Sequence, residues 1–398
     1  MFFKPFSIFH KVKPTYLDFA SSTPLDRAML LQIPVLPWHV LRANPSALHK
    51  DGVLAKNALE DARTLVAKTL GAHRDEIIYT SNATESDNMA ILGSVNHFLQ
   101  QGMVPNEIAV FGSTIEHAAV TESLEMAGLE KVQVGYIPAP EGVVNPNTII
   151  IPEGVKALIV SVMYVNNEIG TVQPIAAIAK RVRYLRKQFP DVTIYFHVDA
   201  TQAPLFYPLN IAKLGVDLMT LGATKLYCTK GVGLLFKKRA VHIAPVLFGG
   251  GQEFGLRPGT EPLALIHEFS HALAYVQKHQ EKAVERTKEL QRYFESLIEA
   301  VPGVVVTAKD KERTPHISHV AIQGFDSELL VLELDARGIE VSSKSACKNE
   351  EGNESEIVRQ IYGDNVGAIR FSFGRTTKKR HLKWAVRAFK QVLKKYKK

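Results

Sequence analysis

The middle of the chain alternates between segments with apolar residues at helical spacing and short segments that are almost continuously apolar. Residues 55–70 carry an apolar stripe and predict a helix. Residues 157–164 and 193–198 predict strands that are buried on both faces. Pro174 precedes another apolar stripe, so we predict a helix that begins there. This alternation predicts a mostly parallel sheet wrapped by helices, an α/β fold.

The pattern changes near residues 249–262, where Gly and Pro become frequent. A long, charged helical segment is predicted over 263–301, followed by a strand at 317–322 and a helix at 327–337. A last helix is predicted from about Lys379. Because 398 residues exceed one ordinary core, we interpret the part after 262 as a second, smaller α+β domain.

Composition limits the class of protein. Hydrophobic residues make up 46% of the chain and charged residues 22%, a globular balance. No segment reaches the roughly 18 apolar residues that span a bilayer, and the N-terminus does not read as a signal peptide. With only Cys228 and Cys347, a disulfide scaffold is excluded and a cytoplasmic location is expected.

The net charge of +8 arises partly from a basic C-terminal tail. A solvated helix end explains such a tail, and no zinc-finger spacing or RNA-binding signature accompanies it. We therefore predict no metal site and no direct nucleic-acid binding.

Two residues at predicted strand ends are candidates for chemistry. Asp199 ends an apolar strand, where a carboxylate is either a helix cap or the partner of a buried cation. Lys225 follows about one helix and one strand later, between apolar flanks. A lone lysine in a loop is usually solvated, but a desolvated amine has a lowered pKa and forms Schiff bases.

Three further features have both structural and functional interpretations. The turn 81–85 is either a capping box or a phosphate cradle that includes Thr84. Cys347 lies among small and polar residues with flanking lysines that favour a thiolate, whereas Cys228 is expected to be packing. Arg370 lies in an alternating strand and forms either an ion pair or a carboxylate site.

A series of short motifs runs in order over nearly the whole chain. They are residues 16–24, 44–46, 80–88, 116–117, 165–170 (VNNEIG), 197–202 (HVDATQ), 249–260, 342–347 and 369–375. Together they resemble the cysteine desulfurases of the class V aminotransferase group, pyridoxal-phosphate fold type I. The resemblance implies a seven-stranded, mostly parallel sheet in a large domain of residues 22–262. It places residues 1–21 with 263–398 in the small domain, which carries the Cys347 loop.

The resemblance implies pyridoxal 5'-phosphate as cofactor and assigns residues to its ring. Lys225 bonds covalently to the cofactor and moves protons, and Asp199 pairs with the pyridine nitrogen. His117 stacks on the ring face and assists proton transfer. Asn167 and Gln202 hydrogen-bond the ring hydroxyl.

Other roles concern the phosphate. Ala83 and Thr84 belong to the phosphate-binding turn, and Thr224 offers a further donor. Thr260 reaches a phosphate across the interface of a homodimer.

The remaining roles concern the substrate, L-cysteine. Asn167 and Arg370 bind it, Arg370 through the substrate carboxylate. Cys347 attacks the substrate sulfur, so that L-alanine and an enzyme persulfide form. A protein acceptor for iron–sulfur cluster assembly or tRNA thiolation then takes the sulfur.

The sequence departs from the family pattern at several positions. Residues 222–224 read Gly-Ala-Thr where Ser-Gly-His is usual, and Asn82 and Lys344 replace glycines. None of these changes removes a residue of the chemical core. Two alternatives remain open: a selenocysteine lyase or other class V enzyme, which needs no nucleophilic thiol, and a non-catalytic member that binds a sulfur-transfer partner.

Overall fold

A computed structural model describes residues 14–343, 356–363 and 365–396 of the chain. The strands are β1 (Thr15–Tyr16), β2 (Ile77–Thr80), β3 (Ile108–Ser113), β4 (Gln133–Ile137), β5 (Ala157–Ser161), β6 (Thr193–Asp199), β7 (Leu218–Gly222), β8 (Gly233–Lys237), β9 (Val304–Val306), β10 (Ile317–Gln323), β11 (Ile339–Glu340) and β12 (Val366–Ser372). The helices are α1 (Arg27–Leu30), α2 (Trp38–Leu41), α3 (Lys50–Leu70), α4 (Ala83–Gln100), α5 (Ala118–Leu129), α6 (Ile175–Gln188), α7 (Ile211–Leu214), α8 (Leu263–Lys278), α9 (Gln280–Ile298), α10 (Ser327–Asp335), α11 (Glu356–Tyr362) and α12 (Lys379–Tyr396).

The described residues divide into two compact units. The large unit comprises Ser22–Asn166 and Thr171–Ala283. The small unit comprises the described residues within Met1–Ser21, Asn167–Gly170 and Val284–Lys398. The division after Ala283 differs from the domain boundary predicted after residue 262, because α8 belongs with the large unit.

The large unit is built on a seven-stranded sheet in the order β2-β8-β7-β6-β5-β3-β4. Strands β4, β3, β5, β6 and β7 are parallel to one another, and β8 runs antiparallel to both β2 and β7. The predicted seven-stranded, mostly parallel sheet is therefore confirmed. Its parallel strands end at one edge, which is where open α/β sheets bind ligands.

The central strands of this sheet are short and mostly apolar, as expected of strands with helices on both faces. Every residue of β5 is buried, and β6 is buried from Ile194 onward. The strand predicted over 157–164 ends earlier, at Ser161. The chain then leaves the sheet in a turn closed by a bridge between Val165 and Val172.

Helix α8 is held in the large unit by polar contacts that the hydrophobic periodicity of the sequence does not predict. The Ser270 hydroxyl lies 2.9 Å from the Tyr79 hydroxyl of β2, and the Glu268 carboxylate accepts the Thr229 backbone N–H at 2.5 Å. The predicted single helical segment over 263–301 is two helices, because the chain leaves helical geometry at His279.

The small unit contains a three-stranded antiparallel sheet, β12-β10-β9, and a parallel pair, β1 and β11. Aromatic rings from its helices and strands fill the core, among them Phe294, Phe371 and Phe389. Helix α12 begins at Lys379 as predicted and buries an apolar stripe in this core. Within the described ranges, no helix combines the length and apolar character needed to cross a membrane.

Candidate active site

Asp199 lies at the last position of β6, opposite Thr220 of β7. Its side chain is buried, 7% exposed, and Oδ1 accepts the Thr201 backbone N–H at 2.9 Å. The carboxylate thus caps the turn that follows the strand, although no helix begins there. Gln202 is buried in the same turn. Two of the side chains predicted to contact the ring, those of Asp199 and Gln202, therefore lie at the carboxyl end of the sheet.

Lys225 ends a single 3₁₀ turn, Ala223–Lys225, directly after β7. Thr23 holds this turn: its backbone N–H donates to the Thr224 carbonyl at 3.0 Å, and its hydroxyl oxygen accepts the Tyr227 N–H at 2.8 Å. Tyr227 has a left-handed φ of 59°. The backbone is therefore fixed on both sides of the half-buried Lys225, which limits where the amine can point.

The turn before α4 is capped, as one of the two interpretations predicts. The Asn82 side chain accepts the Glu85 backbone N–H at 2.9 Å, and the Glu85 carboxylate accepts the Ser81 N–H at 2.6 Å. Thr84 is exposed in the first turn of this 18-residue helix. Capping does not exclude the other interpretation, because a helix N-terminus with an exposed hydroxyl is also an anion site.

Glycines bring these three turns close together. A Cβ at Gly222 would lie 3.2 Å from the Ala83 Cβ and 3.6 Å from the Thr201 Cγ2. A Cβ at Gly233 would lie 2.4 Å from the Asn82 backbone, a distance no side chain tolerates. The structure therefore gathers the Asp199, Lys225 and Thr84 turns at one edge of the large sheet.

His117 occupies the N-cap of α5, where its Nδ1 accepts the Ala119 N–H at 3.1 Å. In the neutral ring the proton then lies on Nε2. The preceding Glu116 accepts the Met163 N–H at 2.8 Å, and the Tyr164 N–H donates to the Asp199 carbonyl at 2.8 Å. Hydrogen bonds therefore link the His117 turn, through the segment after β5, to the end of β6.

A buried polar cluster that we did not predict lies on the same side of β6 as Asp199. His197 and Asp199 share a face because strand side chains alternate. The His197 ring contacts the Ser161 and Thr220 hydroxyls at 2.9 and 3.0 Å, and burial lowers its pKa to about 3. Asp87 of α4 approaches to 3.6 Å.

Two carboxyl groups of this cluster have raised pKa values. Burial and then the charge of Asp199 hold the pKa of Asp87 well above its usual range. The Thr220 hydroxyl opposes this rise, although no hydrogen bond of normal geometry joins it to Asp87. Burial likewise raises the pKa of Glu116 to about 8. Both residues lie inside motifs that the sequence singled out, but a one-dimensional pattern does not show which acids face inward.

In the small unit, Arg370 is 2% exposed and its guanidinium is held by three neighbours. Nη2 contacts Asp18 Oδ1 at 2.7 Å and Ser21 Oγ at 2.5 Å, and Nη1 donates to the Asn167 carbonyl at 2.7 Å. The ion-pair interpretation is therefore observed. The buried Nε–H has no hydrogen-bond partner among the described residues, so the guanidinium keeps a donor for a carboxylate.

The two cysteines differ. Cys347 lies outside the described residues; the described chain before it ends at Ser343, next to Ser342, which pairs with Arg370. Cys228 is 1% exposed, its Sγ lies 3.6 Å from the Ala223 carbonyl, and burial raises its pKa to about 12. A thiol with that pKa is a poor nucleophile at neutral pH.

Thr260 is exposed, in the segment between β8 and α8. Three residues with left-handed φ in succession, Glu253, Phe254 and Gly255, shape this segment. The role predicted for Thr260 is to reach the phosphate bound by a second copy of the chain.

The chain is similar to known proteins over nearly its whole length. The family model described as aminotransferase class-V matches residues 15–383. The cysteine desulfurase IscS of Dictyoglomus turgidum is 34% identical over 395 residues, covering 96% of this chain and 95% of that protein. The cysteine desulfurase IscS of Rickettsia typhi is 33% identical and covers 94% of this chain and 89% of that protein.

Solved structures show the same fold. A NifS-like protein superposes with a TM-score of 0.84 at 26% identity, covering 96% of this chain and 99% of that one. A structure described as SspA in complex with cysteine has a TM-score of 0.73 at 28% identity, covering 90% of this chain and 98% of that one. The resemblance inferred from the motifs is confirmed: the chain belongs to the class-V aminotransferase family and, within it, to the cysteine desulfurases.

Proposed function

We propose that this chain removes sulfur from L-cysteine with bound pyridoxal 5'-phosphate, releases L-alanine and carries the sulfur as a persulfide on Cys347. The main support within the structure is the edge of the large sheet where the Asp199, Lys225 and Thr84 turns meet. Relatives over nearly the whole chain are named cysteine desulfurases. The cytoplasmic location is part of the same proposal.

The donor set of the large unit fits this cofactor. A buried carboxylate suits the pyridine nitrogen, a half-buried amine suits the aldehyde carbon, and a helix N-terminus with an exposed hydroxyl suits the phosphate. When bound, the cofactor supplies an electron sink for the substrate carbon. Asp199 holds a proton on the ring nitrogen, and Gln202 donates to the ring hydroxyl.

Proton movement is assigned to two residues of the large unit. Lys225 would hold the cofactor covalently, and its amine would move a proton at the substrate Cα. His117 presents Nε2–H, because its Nδ1 is occupied by the Ala119 N–H. The imidazole would therefore stack on the ring face and assist proton transfer as a donor toward the substrate.

Phosphate binding is assigned to the first turn of α4, with Ala83 and Thr84, and to the Thr224 hydroxyl. Substrate binding is assigned to the small unit. Arg370 binds the substrate carboxylate, for which its Nε–H, without a hydrogen-bond partner in the described part of the chain, is a suitable donor. Asn167, whose carbonyl holds the same guanidinium, orients it.

Sulfur transfer is assigned to Cys347. Its thiolate attacks the sulfur of bound cysteine, so an S–S bond forms as the Cβ–S bond breaks. The electron pair of that bond passes to the substrate carbon, which takes a proton and leaves as alanine. The persulfide then passes its outer sulfur to a protein acceptor for iron–sulfur cluster assembly or tRNA thiolation, without direct nucleic-acid binding by this chain.

A homodimer is part of the proposal, because Thr260 is assigned to the phosphate of a second copy. The large unit exposes large apolar side chains in two parts of the sequence, before α3 and after β8. They are Leu31 (87% exposed), Val35 (92%), Trp38 (77%), Leu48 (96%) and Phe248 (84%). Concentrations of exposed apolar surface of this kind mark protein interfaces.

The experiment that tests the function measures alanine and sulfide released from cysteine, with a reductant to discharge the persulfide. Borohydride reduction followed by peptide mapping should place the cofactor on Lys225. Light scattering at the assay concentration should give a dimer. A colourless protein that releases no alanine would instead favour the non-catalytic alternative, and alanine release without dependence on Cys347 would favour another class V activity.

A further inference from the structure

An ion pair links the segment that carries Thr260 to the start of α4. The Arg257 Nε donates to Glu85 Oε1 at 3.0 Å, and the two side chains are only 19% and 11% exposed. The second oxygen of Glu85 accepts the Ser81 N–H at 2.6 Å. The pair is therefore built into the same turn to which the cofactor phosphate is assigned.

Glu85 is an unusual neighbour for a phosphate. Burial opposes its ionisation, but hydrogen bonds from Ser81 and the Arg257 guanidinium hold the pKa of Glu85 below its usual range. An ionised carboxylate in the first turn stabilises the helix, since it faces the positive end of the macrodipole. The same charge repels a phosphate dianion bound at that turn. Arg257 neutralises this repulsion.

A second tether holds the segment from which Arg257 projects. The Glu253 carboxylate receives two hydrogen bonds from the Arg63 guanidinium, at 2.7 and 2.9 Å, and a third from the Tyr79 N–H at 2.8 Å. Both charged side chains are almost fully buried. This buried pair fixes the backbone where Glu253 and Phe254 have left-handed φ. The short chain that leads from there to Arg257 therefore begins at a fixed point.

We propose that Arg257 is a positioning residue for the cofactor phosphate: by pairing with Glu85 it cancels the negative charge beside the phosphate turn. The inference rests on the proposed function, because it assumes that the phosphate binds at the start of α4. The inference goes beyond the proposed function because it gives a role to Arg257 and Glu85, to which no contact with the cofactor is assigned.

Electrostatic and purely mechanical roles predict different results for two single variants. Arg257→Gln leaves an uncompensated carboxylate, so the dissociation constant for pyridoxal 5'-phosphate should rise about tenfold. Glu85→Gln removes the repelling charge and should not weaken binding. In the double variant the dissociation constant should return to within about threefold of the wild-type value, a coupling that identifies the interaction. Arg257→Lys, which keeps the charge, should rescue binding.

The measurement is a titration of the apo-protein with pyridoxal 5'-phosphate and, separately, with pyridoxal. The Arg257→Gln defect should be absent with pyridoxal, which has no phosphate. Arg239→Gln is the matched control, since Arg239 pairs with Asp75 at 2.6 Å in the same unit but on the surface. Melting temperatures of the apo-proteins show whether each variant folds.

Three results would overturn the proposal. One is equal weakening by Glu85→Gln and Arg257→Gln with no recovery in the double variant, which indicates a mechanical tether alone. Another is an equal defect with both ligands. The third, a wild-type apo-protein that binds neither ligand, overturns the proposed function itself and is distinguishable from the first two.

Discussion

The Nε2 atom of His197 lies 3.6 Å from Oδ1 of Asp87, and both side chains are almost completely buried. This contact is not an ion pair at neutral pH. Burial lowers the pKa of His197 to about 3, so the imidazole is neutral. Burial and the charge of Asp199 raise the pKa of Asp87 well above its usual range, which favours the protonated carboxyl.

This arrangement predicts how stability depends on pH. The folded protein binds the Asp87 proton more tightly than the unfolded chain does, so this group stabilises the fold fully below its unfolded pKa, 3.8. The contribution is lost as pH rises toward the raised folded pKa. Glu116 acts in the same direction between its unfolded pKa of 4.5 and its folded pKa of about 8.

We therefore predict that Asp87→Asn gains stability relative to the wild type as pH increases, by up to about 1.4 kcal/mol per pH unit. The measurement is denaturant unfolding of the apo-proteins at several pH values between about 5 and 8. Infrared spectroscopy should show one protonated carboxyl fewer in Asp87→Asn at neutral pH. A stability difference that does not change with pH would mean that Asp87 is ionised in the folded protein.

Asp199→Asn tests the partner of the ring nitrogen. An amide does not keep that nitrogen protonated, so we expect a folded protein that binds cofactor but has lost at least about 2.7 kcal/mol of transition-state stabilisation, a hundredfold in rate. Asp217→Asn is the control, because Asp217 is also buried beside β6 and accepts the Phe196 N–H at 3.0 Å. It should lower stability without changing the turnover of folded enzyme. Activity of Asp199→Asn within about threefold of wild type would leave Asp199 only a capping role.

Arg370→Lys tests the carboxylate site. Lysine keeps the charge but not the planar fork, so we expect kcat/KM for cysteine to fall about tenfold or more, mainly through KM. Arg313→Lys is matched, because Arg313 makes a bidentate pair with Glu295 at 2.9 and 3.1 Å in the same unit. That control should cost stability but leave KM unchanged. A KM unchanged in Arg370→Lys would show that Arg370 serves only its pair with Asp18.

The sequence predicted those features of the site that follow from one strand or one turn. An apolar run that ends in a carboxylate placed Asp199 correctly at the edge of the sheet, and the start of α12 was correct at Lys379. Contacts between distant segments were not predictable. Arg63 and Glu253 are 190 positions apart, and nothing local marks either as buried. Asp87 lies in a helix whose buried face includes polar residues, so apolar periodicity did not reveal it.

The break at His279 shows a second limit of periodicity. Residues 263–301 carry a continuous helical pattern, but α8 and α9 bury their apolar stripes against different cores. Leu290 and Phe294 of α9 belong to the core of the small unit, whereas α8 contacts Tyr79 of the large sheet. Hydrophobic spacing predicts that a helix has a buried face but not which element covers it.

The last prediction concerns the two thiols. Sulfur abstraction needs a thiolate, and Cys228 and Cys347 are the cysteines of the chain. Because burial raises the pKa of Cys228 to about 12, its thiolate fraction at neutral pH is negligible. We expect Cys347→Ser to bind cofactor and cysteine but to form no persulfide, while Cys228→Ser remains active. Mass spectrometry after incubation with cysteine should show added sulfur on Cys347 alone. Persulfide on Cys228, or full alanine production by Cys347→Ser, would contradict a mechanism based on Cys347 and favour a class V reaction that needs no nucleophilic thiol.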